Sequence, residues 1–599
     1  MGTATLGWTD YAVIALTMCI SIGIGLYYRF SGGRQKTTQE YFSANKSMSI
    51  IPVGISLMVS FMSAITLLGV SNENYRFGTQ FVVINIAYLI GTPIICYGFL
   101  PVFYKLEAVS AYEYLEKRFG YGARLAASFA SWIQLLLYSA VVLYAPAIAL
   151  ETTTGLYGNW CIISIGLVCA FYSAIGGIKA VLITDVFQGI LMFVSLFIVI
   201  ITAAHKMGGL TEIWHIAAQG GRIEFDNISL DPTVRHTWWG LLIGGLFTFL
   251  SLFGVNQVQV QRIMTLKSLK SARIAYWLNW PILTWLSVTT CFSGLAIYSY
   301  YHNCDPIKDG KISAPDMLMP YYVMNTLSHL PGIPGLFIAG IFSASLSTIS
   351  AGLNSLAVVT LEDYLKPVYT TFSGRQLSES KSIVLGKLFV IIFGVACIAL
   401  AFAAQLLGGV LQASLTIFGA VGGPLLGIFT LGMLSESANQ IGAITGVLSS
   451  LAFTLWIAFG QPRPPLIPLP SSTLGCDNSP LSTDIFNTTE PVTELLVSPS
   501  SYLSYFYLYR ISYMWYSAIG FTIMMTIGYI VSQLTRCMCN NRNEDLNPDL
   551  FFPCIAKRIM LRRNQGQEIN ANNLTSDALY VFNHKNRNSD KYKDQNSQF

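Results

Sequence analysis

Hydroxyl side chains crowd one apolar stretch of this sequence, Ser343 to Asp363 (SASLSTISAGLNSLAVVTLED). At helical spacing Ser343, Ser347 and Ser350 share a face beside Ala344, Thr348 and Ala351. A narrow strip then presents hydroxyl and carbonyl oxygens where a neighbouring backbone can come close. Neutral oxygens in that arrangement suit a hard cation. The same small residues also let membrane helices pack tightly, and spacing alone leaves both readings open. A second stretch has matching chemistry: Pro52 and Gly54 open an apolar run whose centre, VSFMSAI, carries Ser60, Ser63 and Ala64. A helix lends backbone oxygens to an ion only where its own ladder is interrupted, and these residues mark either such a break or close packing. Asp185, in ITDVFQ, is the most informative ionisable residue. A carboxylate at membrane depth costs about 2.5 to 3.5 kcal/mol on insertion scales, so it faces a cavity, a partner, or interfacial water beside Lys179.

The elements that would position these groups are membrane helices. Of 599 residues 53% are hydrophobic and 11% charged, against roughly 25% charged for a soluble domain. The formal charge of +5 is spread through loops and tail and gives no case for nucleic-acid binding. With about 20 apolar residues needed per crossing, the chain reads as an all-α polytopic membrane protein with about 13 transmembrane helices. The spans are expected at 11–28, 51–72, 80–104, 126–154, 160–178, 181–204, 237–255, 275–301, 332–360, 383–404, 408–434, 441–460 and 513–534. Residues 1–535 form the membrane domain and 536–599 a polar tail that cannot bury a core, expected to be disordered. Met1 to Asp10 lacks the basic region of a signal peptide, so the first helix is itself a span.

Basic residues follow the first, third and seventh spans: Arg29, Arg34, Lys36 and Lys46, then Lys105, Lys117, Arg118 and Arg124, then Arg262, Lys267, Lys270 and Arg273. The positive-inside rule puts those loops and the C-terminus in the cytoplasm and the N-terminus outside, with Arg262 and Lys267 as topology anchors. The sequons at Asn227 and Asn487 fall in outer loops and are glycosylation candidates, whereas Asn45 and Asn573 fall inside. Cys304 and Cys476 share the outer side and could pair; Cys537 and Cys539 are palmitoylation candidates or incidental thiols. No nucleophile–base arrangement, HExxH or phosphate loop is present, which argues against an enzyme.

Four motifs together resemble the sodium/solute symporter family: the Ser343–Asp363 stretch, SLMVSFMSAITLLGVSNENYRFG (Ser56 to Gly78), FYSAIGGIKAVLITDVFQ (Phe171 to Gln188) and NQVQVQRIMTLKSLKSA (Asn256 to Ala272). The resemblance runs from about Asp10 to Gln533, nearest the branch of iodide, monocarboxylate and multivitamin carriers. It implies LeuT-like inverted five-helix repeats at approximately 51–204 and 237–434, with extra helices at 11–28, 441–460 and 513–534. It also implies Na+ as coupling ion, held by the carbonyls of Val59, Met62 and Ala344 and the hydroxyls of Ser347 and Thr348. Asp185 and Ser350 would form a second sodium site or the exit route.

Neutral hydroxyls within apolar helices, Ser63, Thr66, Tyr88, Tyr138, Ser414 and Thr416, are the substrate candidates. Thr66 and Tyr88 stand where the iodide carrier has glutamines, and Thr66 resembles the monocarboxylate carriers. The expected function is sodium-coupled symport of a small organic solute, a monocarboxylate or related anion, by alternating access in the plasma membrane. The alternatives are a sodium-gated sensor or channel on the same fold, and a symporter of a vitamin, inositol or sugar, or inorganic anion. The partners are the solute, sodium and the lipid bilayer.

Overall fold

Apolar helices that cross at small residues make up most of the described chain. The computed structural model describes residues 5–30, 40, 44–107, 110–405, 409–476, 504–539 and 546–565, and among these there is no strand. The helices that matter for the site are α1 (Trp8–Phe30), α2 (Ile50–Val59), α3 (Ser71–Phe77), α4 (Ile84–Ile94), α5 (Tyr121–Thr154), α6 (Gly158–Met207), α7 (Gln257–Ile263), α8 (Leu269–Tyr301), α9 (Ile333–Val359), α10 (Glu379–Ala404), α11 (Val410–Leu434), α12 (Gln440–Phe459) and α13 (Tyr516–Cys539).

Among the described residues ten helices are long and apolar enough to cross a bilayer, and a pair bent by 51°, Gly240–Val255 with Gln257–Ile263, makes eleven. The two remaining expected spans are shorter apolar helices, Ile50–Val59 and Gly158–Ala174. The count of thirteen is therefore not reached by length alone, for two local reasons. The second span is interrupted after Val59. The fifth and sixth spans run on as α6, turning at Gly177, whose φ of 63° and ψ of 170° are non-helical and are open to glycine without the steric cost a Cβ would bring.

Helix α9 lies at the centre and is buried almost throughout, from Pro334 to Val359. Glycine lets it get there: a Cβ on Gly340 would fall 2.6 Å from the Leu191 carbonyl oxygen of α6. Its first turn is capped by α1, because Asp10 Oδ1 accepts the amides of Gly332 and Gly335 at 3.0 Å each. That satisfies orphan donors and places a negative charge at the positive end of the helix. In the same way Gly54 brings α2 against α8, where its Cβ would lie 3.2 Å from the Ala275 carbonyl.

Cys304 and Cys476 are disulfide-bonded as the sequence allowed. Asn227 lies half-buried in a loop; Asn487 and Asn573 fall outside the described residues. The tail departs from expectation at 546–565, where a 3-10 turn Pro548–Leu550 leads into a helix over 553–565. Leu550 and Phe551 are buried there, and the Phe552 amide donates to the Met433 carbonyl at 3.0 Å. A short apolar cluster supplies the burial that average tail composition hid.

Candidate sodium and solute site

The second span breaks where its small residues are. Helix α2 ends at Val59, Ser60 and Phe61 form a turn, and Met62 and Ser63 have no regular structure. Ser63 Oγ accepts the Ile65 amide at 3.1 Å, a side-chain cap that restarts the helix. The carbonyls freed by the break find partners on other elements. Leu57 O accepts from Gln259 Nε2 at 2.9 Å, Val59 O from Thr348 Oγ1 at 3.3 Å, and Phe61 O from Tyr138 Oη at 3.3 Å.

Thr348 Oγ1 also lies 3.1 Å from Ala344 O, so one hydroxyl draws together the carbonyls of both helices. Three of the five expected sodium ligands, Val59, Ala344 and Thr348, thus converge, and all are buried. Met62 sits in the break beside them. Ser347, also buried, donates to Asp185 Oδ1 at 2.5 Å, which places a carboxylate one hydroxyl away from the cluster. Neutral carbonyl and hydroxyl oxygens with one nearby negative charge suit a hard monovalent cation that must leave again.

Asp185 is fully buried. Its Oδ2 accepts from Ser56 Oγ and, at 3.3 Å, from an Arg262 guanidinium nitrogen. Arg262 Nε donates to Ser56 Oγ at 2.8 Å. Arg262 is therefore not the loop anchor expected from its basic neighbours: it is 1% exposed and ties α2, α6 and α7 together. Ser350, expected beside Asp185, donates instead to Ser347 O of its own helix at 3.0 Å.

Above the break lies a cavity of about 80 Å³. Five of the six expected solute residues line it: Ser63, Thr66, Tyr88, Tyr138 and Ser414. Thr416 does not, since two residues beyond Ser414 a helix has turned about 200°. Thr248 and Ser287 join the lining; the sequence reading missed them because they stand as lone hydroxyls in apolar runs. Aromatic rings close the walls, with Tyr138 and Phe418 centroids 4.4 Å apart and Phe249 and Phe253 4.6 Å apart. Among the described residues, no acid, lysine, arginine or histidine lines the cavity.

A second ion cluster stands over it. Arg235 grips Glu73 of α3 through Nε–Oε1 at 2.5 Å and a second contact at 3.0 Å, and donates to Gln412 at 2.9 Å. His236 Nε2 lies 3.3 Å from Glu73 and 2.9 Å from the Tyr513 hydroxyl. Glu73, Arg235 and His236 were not singled out from sequence; an acid at the end of an apolar span was the available signal.

A broken helix facing an intact hydroxyl-bearing helix, inside a bundle of membrane spans, is the arrangement of secondary transporters. The sodium:solute symporter family model matches residues 41–449, and the chain belongs to that family. It is 52% identical over 571 residues, 94% of this chain and 93% of the other, to a Drosophila melanogaster protein to which sodium-dependent multivitamin transport is provisionally assigned. It is 41% identical over 563 residues, 91% of this chain and 90% of the other, to sodium-coupled monocarboxylate transporter 1 of Homo sapiens. The solved outward-open, substrate-bound structure of a Na+-coupled sialic acid symporter superposes with a TM-score of 0.72 at 25% identity, covering 88% of this chain and 98% of that one. The fold is thus LeuT-like and the coupling ion is sodium.

Proposed function

We infer that the protein carries a small organic acid with a single carboxylate, in the first place a short monocarboxylate, inward across the plasma membrane with sodium. The observation that carries this reading is the cavity: small, lined by neutral hydroxyls, free of fixed charge, and adjoining the oxygen cluster at the same helix break. Hydroxyl donors can bind a carboxylate, while the sodium beside it supplies the compensating charge. Pockets for drug-sized ligands run to about 300 Å³ or more, so a larger vitamin acid needs the aromatic walls to part. The multivitamin reading stays second, favoured by the 52% identical relative. We take the chain to be a carrier and not an enzyme.

In this scheme Val59, Met62, Ala344, Ser347 and Thr348 hold the ion, and Asp185 receives it on the inward route. Ser63, Thr66, Tyr88, Tyr138 and Ser414 orient the solute. The repeats 51–204 and 237–434 rock about the site. The disulfide end faces outward, since such bonds persist in oxidising surroundings, and the basic loops face the cytoplasm. A tenfold sodium gradient supplies about 1.4 kcal/mol, enough for about tenfold accumulation of an anion moving with one sodium. A second sodium is needed to draw on the membrane potential, worth about 1.4 kcal/mol per charge at about 60 mV.

The test is uptake of lactate, butyrate, nicotinate, biotin, iodide, myo-inositol and glucose, each in sodium and in choline. Butyrate or lactate should accumulate above equilibrium in sodium only. Accumulation of inositol or glucose, or of nothing, overturns the reading. With the accepted solute, Ser347→Ala combined with Thr348→Ala should abolish sodium activation while surface expression persists; unchanged activation removes the oxygen cluster from the scheme.

A further inference from the structure

The short helix over 553–565 closes one side of a cavity of about 660 Å³ that lies far from the solute site. Its position follows from local chemistry. Lys105 pairs with Asp549 at 2.7 Å, the Tyr114 hydroxyl donates to Leu550 O at 3.0 Å, and the Phe99 and Phe552 rings meet at 5.1 Å. These contacts fix the start of the helix beneath the bundle, and Ile555 and Ala556 are buried against it. One wall of the cavity is then apolar and open: Leu434, Tyr529 and Ile530 are 46%, 47% and 57% exposed. The opposite rim is basic. Arg558 and Arg562, one helical turn apart, line it together with Arg536 near the end of α13.

Among the described residues the lining has one acid, Glu436, which is engaged by Arg562 at 2.8 Å, so three guanidiniums face one carboxylate. Leu434 ends α11, and Arg536 is in the last turn of α13. The change from apolar wall to basic rim therefore falls at the level where the spans leave the membrane. A ligand matching both halves has hydrocarbon and an anionic head. The rest of the tail does not match: residues 566–599 hold Glu568, Asp577, Asp590 and Asp594 against Lys585, Arg587, Lys591 and Lys593, four acids and four bases, and 540–545 hold Glu544 and Asp545 beside Arg542, with no longer run of acids.

We propose that this cavity is a binding site for an anionic phospholipid of the inner leaflet, its acyl chain on Leu434, Tyr529 and Ile530 and its phosphates on Arg536, Arg558 and Arg562. The proposal rests on the cytoplasmic placement of this end. Each basic side chain near a membrane contributes a factor of about five in binding anionic lipid. The site couples the tail helix to α11 and α13, so lipid bound there holds the tail against the carrier.

The experiment uses the full chain in nanodiscs of phosphatidylcholine with a small fraction of phosphatidylinositol 4,5-bisphosphate. Lipid retained through detergent exchange is measured by mass spectrometry. Arg558→Gln with Arg562→Gln should lower retention of the phosphoinositide by about thirtyfold while the melting temperature holds. Arg558→Gln alone keeps the Glu436 pair and should lower it by about fivefold. Phosphatidylcholine retention should not change. Equal retention by wild type and the double variant overturns the proposal, as does soluble inositol trisphosphate binding as tightly as the lipid, since the hydrocarbon wall would then contribute nothing. Nanodiscs expose both faces, so this readout is independent of orientation. A C-terminal tag that labels on intact cells would overturn the orientation and leave lipid retention as measured.

Discussion

Two arginines bracket the bend of the bent span, Arg235 ahead of its first half and Arg262 within its second, and each holds one half of the broken helix. At the disulfide end, Arg235 meets Glu73 of α3 directly and bidentately. At the other end, Arg262 reaches Asp185 partly through Ser56 of α2, and Ser347 of α9 binds the same carboxylate. The Arg235–Glu73 pair retains some access to water, with 18% of the Arg235 side chain exposed, whereas the Arg262–Asp185 pair has almost none. A clasp near water can part at modest cost because solvent takes over the released charges. A dry one must exchange partners. At Asp185 the serine hydroxyls of Ser56 and Ser347 bond the carboxylate itself and could serve an ion instead, whereas Glu73 is held by Arg235 and the Tyr513 hydroxyl bonds His236.

The largest effect is expected at the dry cluster. Asp185→Asn leaves Arg262 buried without its counter-charge and should cost about 3–5 kcal/mol, read as a lower melting temperature in detergent and lost surface expression. Asp185→Asn with Arg262→Gln should recover much of that loss. If the single variant melts no lower than the double one, the contrast between dry and wet clusters fails.

The Arg235–Glu73 clasp should respond more mildly and in population instead of folding. Glu73→Gln weakens a charge-assisted pair by about 1.5–3 kcal/mol. It should raise the rate at which Ser414→Cys reacts with an external thiol reagent by about tenfold or more, with little change in melting temperature. Unchanged labelling would mean that Arg235 and Glu73 do not govern access to the cavity.

The smallest effect is a pH dependence at the disulfide end. Burial pushes the carboxyl of Asp316, which accepts the Val410 amide at 3.0 Å, from 3.8 up to about 6. Burial also lowers the His236 imidazole from 6.5 to about 4, outweighing the Glu73 charge beside it. Between about pH 4 and 6 the folded protein binds more protons than the unfolded chain at Asp316, so stability falls as pH rises. Between about 4 and 6.5 it binds fewer at His236, so stability rises with pH. The two oppose each other. Asp316→Asn removes the falling contribution, so the melting temperature of the variant relative to wild type should climb as pH rises from about 4 to 6; parallel profiles would sink the assignment.

Much of this was legible in the chain. Ser60, Ser63, Ser347 and Thr348 stand out because hydroxyls are scarce in apolar spans, and a broken helix facing an intact one is encoded locally on each. The motif resemblance set the register between them. Arg262 was misread because its partner lies 77 residues away, and a basic neighbourhood hides a residue that turns inward. Thr416 failed on helical phase, which chemical type alone does not encode. The ordered 546–565 segment escaped because Leu550, Phe551 and Phe552 are few among polar neighbours, and only the base of the bundle gives them somewhere to go.

The cap that Asp10 places on α9 has a practical bearing. The first span lies outside the two five-helix repeats and looks dispensable, yet its carboxylate anchors the leading turn of the very rod that presents Ser347 and Thr348. Expression forms trimmed past that residue, or carrying a bulky fusion against Gly7, should blunt cation response without touching a residue of the proposed oxygen cluster.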